Sequence, residues 1–254
     1  MSGTKQPWWF GMQCAYCPNI ADSEDHIPPR SLYAKGTPNL VTVPSCGDCR
    51  RKYSMDDEWF KTLMVTVASR MSPVAESHFL GSVGRALKRL VGLGPKIARQ
   101  TVQFDLLTES GILTGQKMPA ISISDEDWRR IQVVLIRIAR GLNYRFSEWK
   151  KRYDDHLYNV VDFESEDGQK ILATDDIMST VRKNKAIEMG DPRVCKAIVV
   201  PFATVENAHL WLFEFYERKR FFVLVFTNER AKDAALRRQA QLISPSGIIL
   251  KPER

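Results

Sequence analysis

Long apolar runs are missing from this chain. None approaches the roughly 20 residues that span a bilayer. The longest, Ala208–Tyr216 and Phe221–Thr227, are separated by Glu217-Arg218-Lys219-Arg220, so no membrane association is expected. The opening Met1–Pro7 lacks the basic start and apolar stretch of a secretory signal, and the expectation is a soluble, cytoplasmic protein. Glycine and proline, 14 and 13 of 254 residues, are too sparse for a collagen-like or low-complexity chain. No internal repeat is visible. The rest is ordinary globular composition, 44% hydrophobic and 26% charged, rich enough in apolar residues to bury a core. The length points to one or two domains.

Net charge is +7, which admits an anionic partner without requiring one. Its distribution is more informative. Residues 1–60 hold six Lys/Arg against seven Asp/Glu, residues 61–100 hold seven against one, and residues 101–254 hold 24 against 22. The excess therefore sits in one 40-residue stretch, where Arg85, Lys88, Arg89, Lys96 and Arg99 could form a track for a nucleic-acid backbone or a solvated helix face.

Cysteine is scarce, and four of the five lie in two CxxC pairs, Cys14/Cys17 and Cys46/Cys49. In a reducing compartment such pairs are metal ligands more often than disulfides. Two pairs complete a closed, tetrahedral four-cysteine site of the kind that holds structural Zn²⁺. An iron–sulfur site or a redox dithiol is the alternative. Cys195, alone in an apolar stretch, reads as a buried thiol.

Between the pairs stands Ser23-Glu24-Asp25-His26-Ile27-Pro28-Pro29-Arg30, with Asn39-Leu40 shortly before the second CxxC. A neutral imidazole can take a proton from water near pH 7, and a carboxylate can hold a hard divalent cation. His26 is the only histidine before His78 and sits beside an acid. Adjacent side chains of a strand point to opposite faces, so Asp25 and His26 are expected to leave regular strand geometry to serve one site, with Pro28-Pro29 ending the strand.

The succession CxxC, Asp-His-Ile-x-Pro, Asn-Leu, CxxC resembles the zinc-containing branch of the HNH endonuclease family, over about residues 14–60. The resemblance implies a ββα-metal module and phosphodiester hydrolysis, DNA being favoured over RNA because the family mostly cuts DNA. It also implies phage-defence or mobile-element biology. By the same resemblance His26 would be the general base, Asp25 a ligand of Mg²⁺ or another divalent cation, and Asn39 the residue that orients the base. Arg30 and Lys35 would contact phosphate, and the run Arg50-Arg51-Lys52 would lie along nucleic acid. The family's second metal ligand follows the second CxxC. Here that position is Arg50, which cannot ligate a metal. A substitute oxygen is expected from Asp48, or from Asp56 or Asp57. The rival expectations are a non-catalytic nucleic-acid-binding module and a subunit active only with a protein partner or as a homo-oligomer.

The fold class expected is α+β: the ββα-metal module with its four-cysteine zinc site over residues 1–60, a basic helical region over 61–110, and an α+β region over 111–254. Ser54 with Asp57 predicts a helix over Met55–Arg70, and Ser72-Pro73 one from Pro73 to about Leu90. A further helix is expected over Lys96–Leu107, and a linker or short strand pair over Gly111–Ser124. Ser124 with Asp127 opens the clearest helix, carrying Ile131, Val134, Leu135 and Ile138 and ended by Gly141. Glu164–Gly168 reads as a turn, Val194–Phe202 as a strand, Ala208–Tyr216 with Phe221–Thr227 as a hairpin, and Ala231–Gln241 as a last helix. His78, His156 and His209 read as structural, and Trp8-Trp9-Phe10 as packing against the cysteine module.

Overall fold

The computed structural model of the protein describes residues 6–89, 93–108, 110–146, 156–173, 175–202 and 208–233. Strands β1 (Ser23–Ile27) and β2 (Val41–Ser45) form an antiparallel pair with Asp25 opposite Val43 and His26 opposite Thr42. Helix α1 (Gly47–Ala68) follows at once. Next come α2 (Pro73–His78), a π-helical turn over Phe79–Val83, α3 (Gly84–Arg89) and α4 (Leu93–Gln100). The hairpin β3 (Thr101–Leu107) and β4 (Leu113–Ile121) leads to α5 (Asp125–Phe146). The remainder is β5 (Leu157–Asp162), α6 (Glu166–Leu172), α7 (Asp175–Lys183), β6 (Ile187–Glu188), β7 (Cys195–Pro201), β8 (Ala208–Phe215) and β9 (Lys219–Phe226). The last five strands form one antiparallel sheet in the order β5-β9-β8-β7-β6. The fold is α+β.

The apolar runs near the C-terminal end become intelligible in that sheet. Strand side chains alternate between faces, and here both faces are covered. Trp211, Phe213, Phe215, Phe221, Val223 and Val225 point into a core shared with Phe60, Leu63 and Met64 of α1 and with Ile131, Val134, Leu135 and Ile138 of α5. Leu210, Leu212, Phe222, Leu224 and Phe226 point the other way, onto Ile171 of α6 and Ile177 of α7. A strand buried on both faces reads as a continuous apolar run rather than an alternation.

Helix α5 lies between this sheet and the β1–β2 pair, so it is buried on more than one side. Its polar side chains are therefore tied down. Asp127, fully buried, accepts from Lys96, Gln100 and Ser124. Asn143 Oδ1 accepts from Trp211 Nε1 at 2.9 Å and lies 2.9 Å from His209 Nε2. Burial, and after it the neighbouring His156, lowers the His209 pKa to about 3; a neutral imidazole is what this pocket holds. His209 and Cys195 are both buried.

Several element boundaries differ from the sequence reading. Ser54 does not begin a helix: α1 starts seven residues earlier, with Cys46 in extended geometry at its N-cap, and Ser54 Oγ bonds back to the Arg51 carbonyl at 3.1 Å. A capping residue inside a helix is accommodated this way. The helix expected over Lys96–Leu107 stops at Gln100, because Thr101-Val102-Gln103-Phe104 alternates with period two and pairs with β4. Glu164–Gly168 is only half a turn: Ser165 accepts from the Gly168 N–H at 3.1 Å and caps α6. Ser72 caps α2 as expected, accepting from the Ala75 N–H. Ser124 likewise accepts from the Asp127 N–H at the start of α5. Trp8 and Phe10 do not pack inward; they are exposed, although Trp8 Nε1 donates to Glu24. Most of the helix expected over Ala231–Gln241 lies outside the described residues.

Gly141 does not end α5 but lies within it. A Cβ there would stand 2.8 Å from both Cγ2 and Cδ1 of Ile27. The glycine is needed for the close approach of α5 to β1 rather than for a C-cap. Gly141→Ala is expected to lower stability by about 1–3 kcal/mol through overpacking, read as a drop in the unfolding midpoint, and Ile27→Val in that background should recover part of the loss. An unchanged midpoint would contradict this contact.

Candidate functional site

The first CxxC occupies a tight turn closed by the Cys14 N–H on the Asn19 carbonyl at 2.8 Å. The second spans the N-terminus of α1. These two local structures bring the sulfurs of Cys14, Cys17, Cys46 and Cys49 within 4.8 Å of one another. Among the described residues this is the one group of three or more Cys, His, Asp or Glu able to hold a metal ion. Backbone N–H groups of Tyr16 and Cys46 both donate to Cys14 Sγ at 3.4 Å, and the positive end of α1 favours negative charge there. The hydrogen bond from Cys49 lowers the Cys14 thiol to about 5, while giving that proton raises Cys49. Burial pushes Cys17 up to about 11. Four sulfurs so close cannot all ionise unaided, and a thiophilic dication such as zinc is what allows it.

Tyr16, whose N–H donates to Cys14 Sγ and whose hydroxyl donates to Asp25, links this cluster to a cleft of about 260 Å³, lined by Asp25 and His26 of β1, Pro29, Arg30 and Ser31 of the turn that follows, and Ser54, Asp57 and Glu58 of α1. Asp25 and His26 remain in regular strand register, contrary to the sequence expectation. Because β1 belongs to a sheet of only two strands, its open edge lets one cleft meet residues from both faces. Burial, ahead of the neighbouring charges, holds the His26 pKa below its ordinary 6.5 and so favours the neutral imidazole.

The other sequence candidates fall in different places. Asn39 has left-handed geometry (φ 57°), and its carbonyl accepts from the Gly190 N–H at 3.1 Å; no hydrogen bond joins it to His26 among the described residues. Asp48 is exposed on the first turn of α1 and pairs with Arg51. It does not line the cleft, because that turn faces away from Asp25. Arg50 reaches Asp22 Oδ1 at 3.4 Å, while Asp22 Oδ2 accepts from the Gly47 N–H at the helix start. Asp56 is directed at Arg130, 3.8 Å away. Asp57 is the acid that α1 brings to Asp25: Ser54, Asp57 and Glu58 sit three and four residues apart on one helical face. Lys35, Lys52 and Arg85 are exposed and outside the cleft lining. Lys96 of the basic stretch is committed to Asp127 and to the Trp59 ring. The side chains of Lys88 and Arg89 fall outside what the structure describes.

Sequence reasoning missed Arg137. Its guanidinium, 2% exposed, donates from Nη2 to Asp57 Oδ1 at 2.6 Å, and its Nε lies 3.9 Å from Asp25 Oδ2. Tyr16 also donates its hydroxyl to Asp25 Oδ2, at 2.9 Å. Burial pushes the Asp57 carboxyl up to about 6 against the opposing pull of Arg137. Burial works against the Arg137 charge too, but Asp57 and Asp25 outweigh it and hold that pKa above the ordinary value. Three α5 residues at i, i+3 and i+4, Arg137, Arg140 and Gly141, all face the N-terminal module, Arg140 through Nη2 to the Tyr16 carbonyl at 2.8 Å. Arg137 and Arg140, interrupting the apolar stretch Val133–Leu142 of α5, were the available signal.

Comparison with protein-family models, with curated proteins and with solved structures finds no match to this chain.

The cysteine geometry predicts about one zinc per purified chain by elemental analysis. Cys46→Ser should yield metal-poor, poorly soluble protein, since binding energies of roughly 10–16 kcal/mol are coupled to folding in such modules. A stable wild type free of zinc and iron would contradict it.

Proposed function

We propose that this protein is a metal-dependent endonuclease of the HNH type that hydrolyses phosphodiester bonds in nucleic acid, with DNA as the favoured substrate. The observation that carries the reading is the convergence of Asp25, His26, Asp57 and Arg30 on one cleft that Tyr16 links to the four-cysteine cluster. The order β1, β2, α1, with the cysteine pairs before β1 and at the start of α1, supports it.

In this reading Asp25 and Asp57 hold a divalent cation. What supports this is the state of their oxygens: Asp25 Oδ2 and Asp57 Oδ1 are engaged by Tyr16 and Arg137, whereas Asp25 Oδ1 and Asp57 Oδ2 have no hydrogen-bond partner among the described residues. Such an ion, when bound, would supply positive charge against the negative charge that develops on the phosphate oxygens. Neutral His26 accepts the proton of the attacking water. The water oxygen bonds to phosphorus as the bond to the 3′ oxygen breaks, and the departing 3′ oxygen takes a proton from solvent, leaving a 5′-phosphate and a 3′-hydroxyl. Arg30, exposed at the rim, meets the phosphate backbone. The four cysteines, with no vacant position, hold zinc as a structural ion.

A second reading, a nucleic-acid-binding module without catalysis, is favoured by one observation: Arg50, at the family's ligand position, is turned to Asp22. Nicking of supercoiled plasmid with Mg²⁺, Mn²⁺, Ni²⁺ or EDTA separates the two. His26→Ala should retain zinc and DNA binding and lose about 10²–10⁴ in nicking rate. Asp57→Asn should match Asp25→Asn, and Asp48→Asn should leave the rate unchanged. Wild type inert with every divalent ion would end the enzyme reading in favour of the binding module.

A further inference from the structure

We propose that Arg137 of α5 is a positioning residue that sets Asp25 and Asp57 for a divalent cation, so that the cleft is completed by the C-terminal part of the chain. The inference rests on the nuclease reading and adds a residue that no feature of the N-terminal motif contains.

Arg137 is separated from Asp57 by 80 positions in the chain, yet the three elements β1, α1 and α5 meet at its guanidinium. The group lies 5.0 Å from the centre of the Tyr53 ring, which covers it, and it is buried while the cleft is open. It therefore approaches the two carboxylates from the protein side. It engages one oxygen of Asp57 and stands near one oxygen of Asp25, the same oxygen that takes the Tyr16 hydroxyl. The remaining oxygen of each has no hydrogen-bond partner among the described residues, and both residues line the cleft. Outer partners of this kind fix the rotamers of metal-ligating carboxylates, and losing one typically costs 10–100-fold in metal affinity.

Two carboxylates lining one cleft repel one another, and a permanent cation behind them offsets that repulsion. A guanidinium does this with a rigid planar fork, which an ammonium cannot imitate. Stability alone gives little reason for the arrangement, because buried ion pairs are often replaceable by apolar groups without loss. Two further contacts hold α5 in place: Arg140 on the Tyr16 carbonyl, and Gly141 against Ile27.

The opposite role is that Arg137 merely stands in for a cation. The two roles predict opposite changes when the charge is removed. The test uses the full-length chain as wild type, Arg137→Lys and Arg137→Met. Mn²⁺ binding is followed by electron paramagnetic resonance, nicking on plasmid, and zinc content, unfolding midpoint and DNA binding in EDTA as controls. Arg137→Met is expected to bind Mn²⁺ about 10–100-fold more weakly, with zinc content and DNA binding preserved and nicking partly restored by added guanidinium. Arg137→Lys, which keeps the charge and so guards against misfolding, should also bind Mn²⁺ more weakly. Unchanged or tighter Mn²⁺ binding in either variant overturns the inference alone, provided wild type nicks. A wild type that neither binds Mn²⁺ nor nicks overturns the nuclease reading and this inference with it.

Discussion

A buried guanidinium paired with two carboxylates from the protein side is the constraint on which the rest of this structure turns. Charge cannot be buried without partners, and Arg137 finds them only if β1, α1 and α5 are all in place. The same junction that satisfies Arg137 therefore specifies how the N-terminal strand pair docks on the helix that carries the five-stranded sheet. Gly141 permits that docking by leaving room for Ile27, and Arg140 adds a bond to the turn that carries the first cysteine pair. One face of α5 thus sets both the cysteine turn and the acidic cleft.

The cysteine cluster plays a different part. Its four sulfurs bring the turn before β1 together with the start of α1, the helix whose Ser54, Asp57 and Glu58 line the cleft with β1. On the proposed reading the two devices are complementary: a structural ion aligns α1, and Arg137 aligns the acids that α1 and β1 present. Arg50 is then consistent with the same scheme, since its side chain supports Asp22 at the helix start rather than the cleft.

Much of this is legible in the sequence, and the limits have physical reasons. The two CxxC pairs give the cluster because each pair is a local structure with its own ligand spacing. The hairpin of β8 and β9 is legible from its branched and aromatic runs, and the caps Ser72 and Ser124 from their hydrogen-bonding chemistry. Ser54 misleads because a mid-helix serine can bond back to its own helix, and Gly141 because the reason for a glycine, close approach to Ile27, lies in a distant element. Asp48 looks nearest to the cleft in sequence, yet helical geometry turns it toward Arg51 and brings Asp57 round instead. Arg137 is beyond any local pattern: its partners lie in segments that only the tertiary fold assembles.

The most direct test of the account is where a divalent cation binds. Crystals of the protein soaked in Mn²⁺ and measured at the manganese edge should show an anomalous peak in the cleft, bonded to one oxygen each of Asp25 and Asp57 with Arg137 still behind them. Manganese only at other sites, or a cleft in which Arg137 itself fills the space between the two carboxylates and no ion enters, would contradict it.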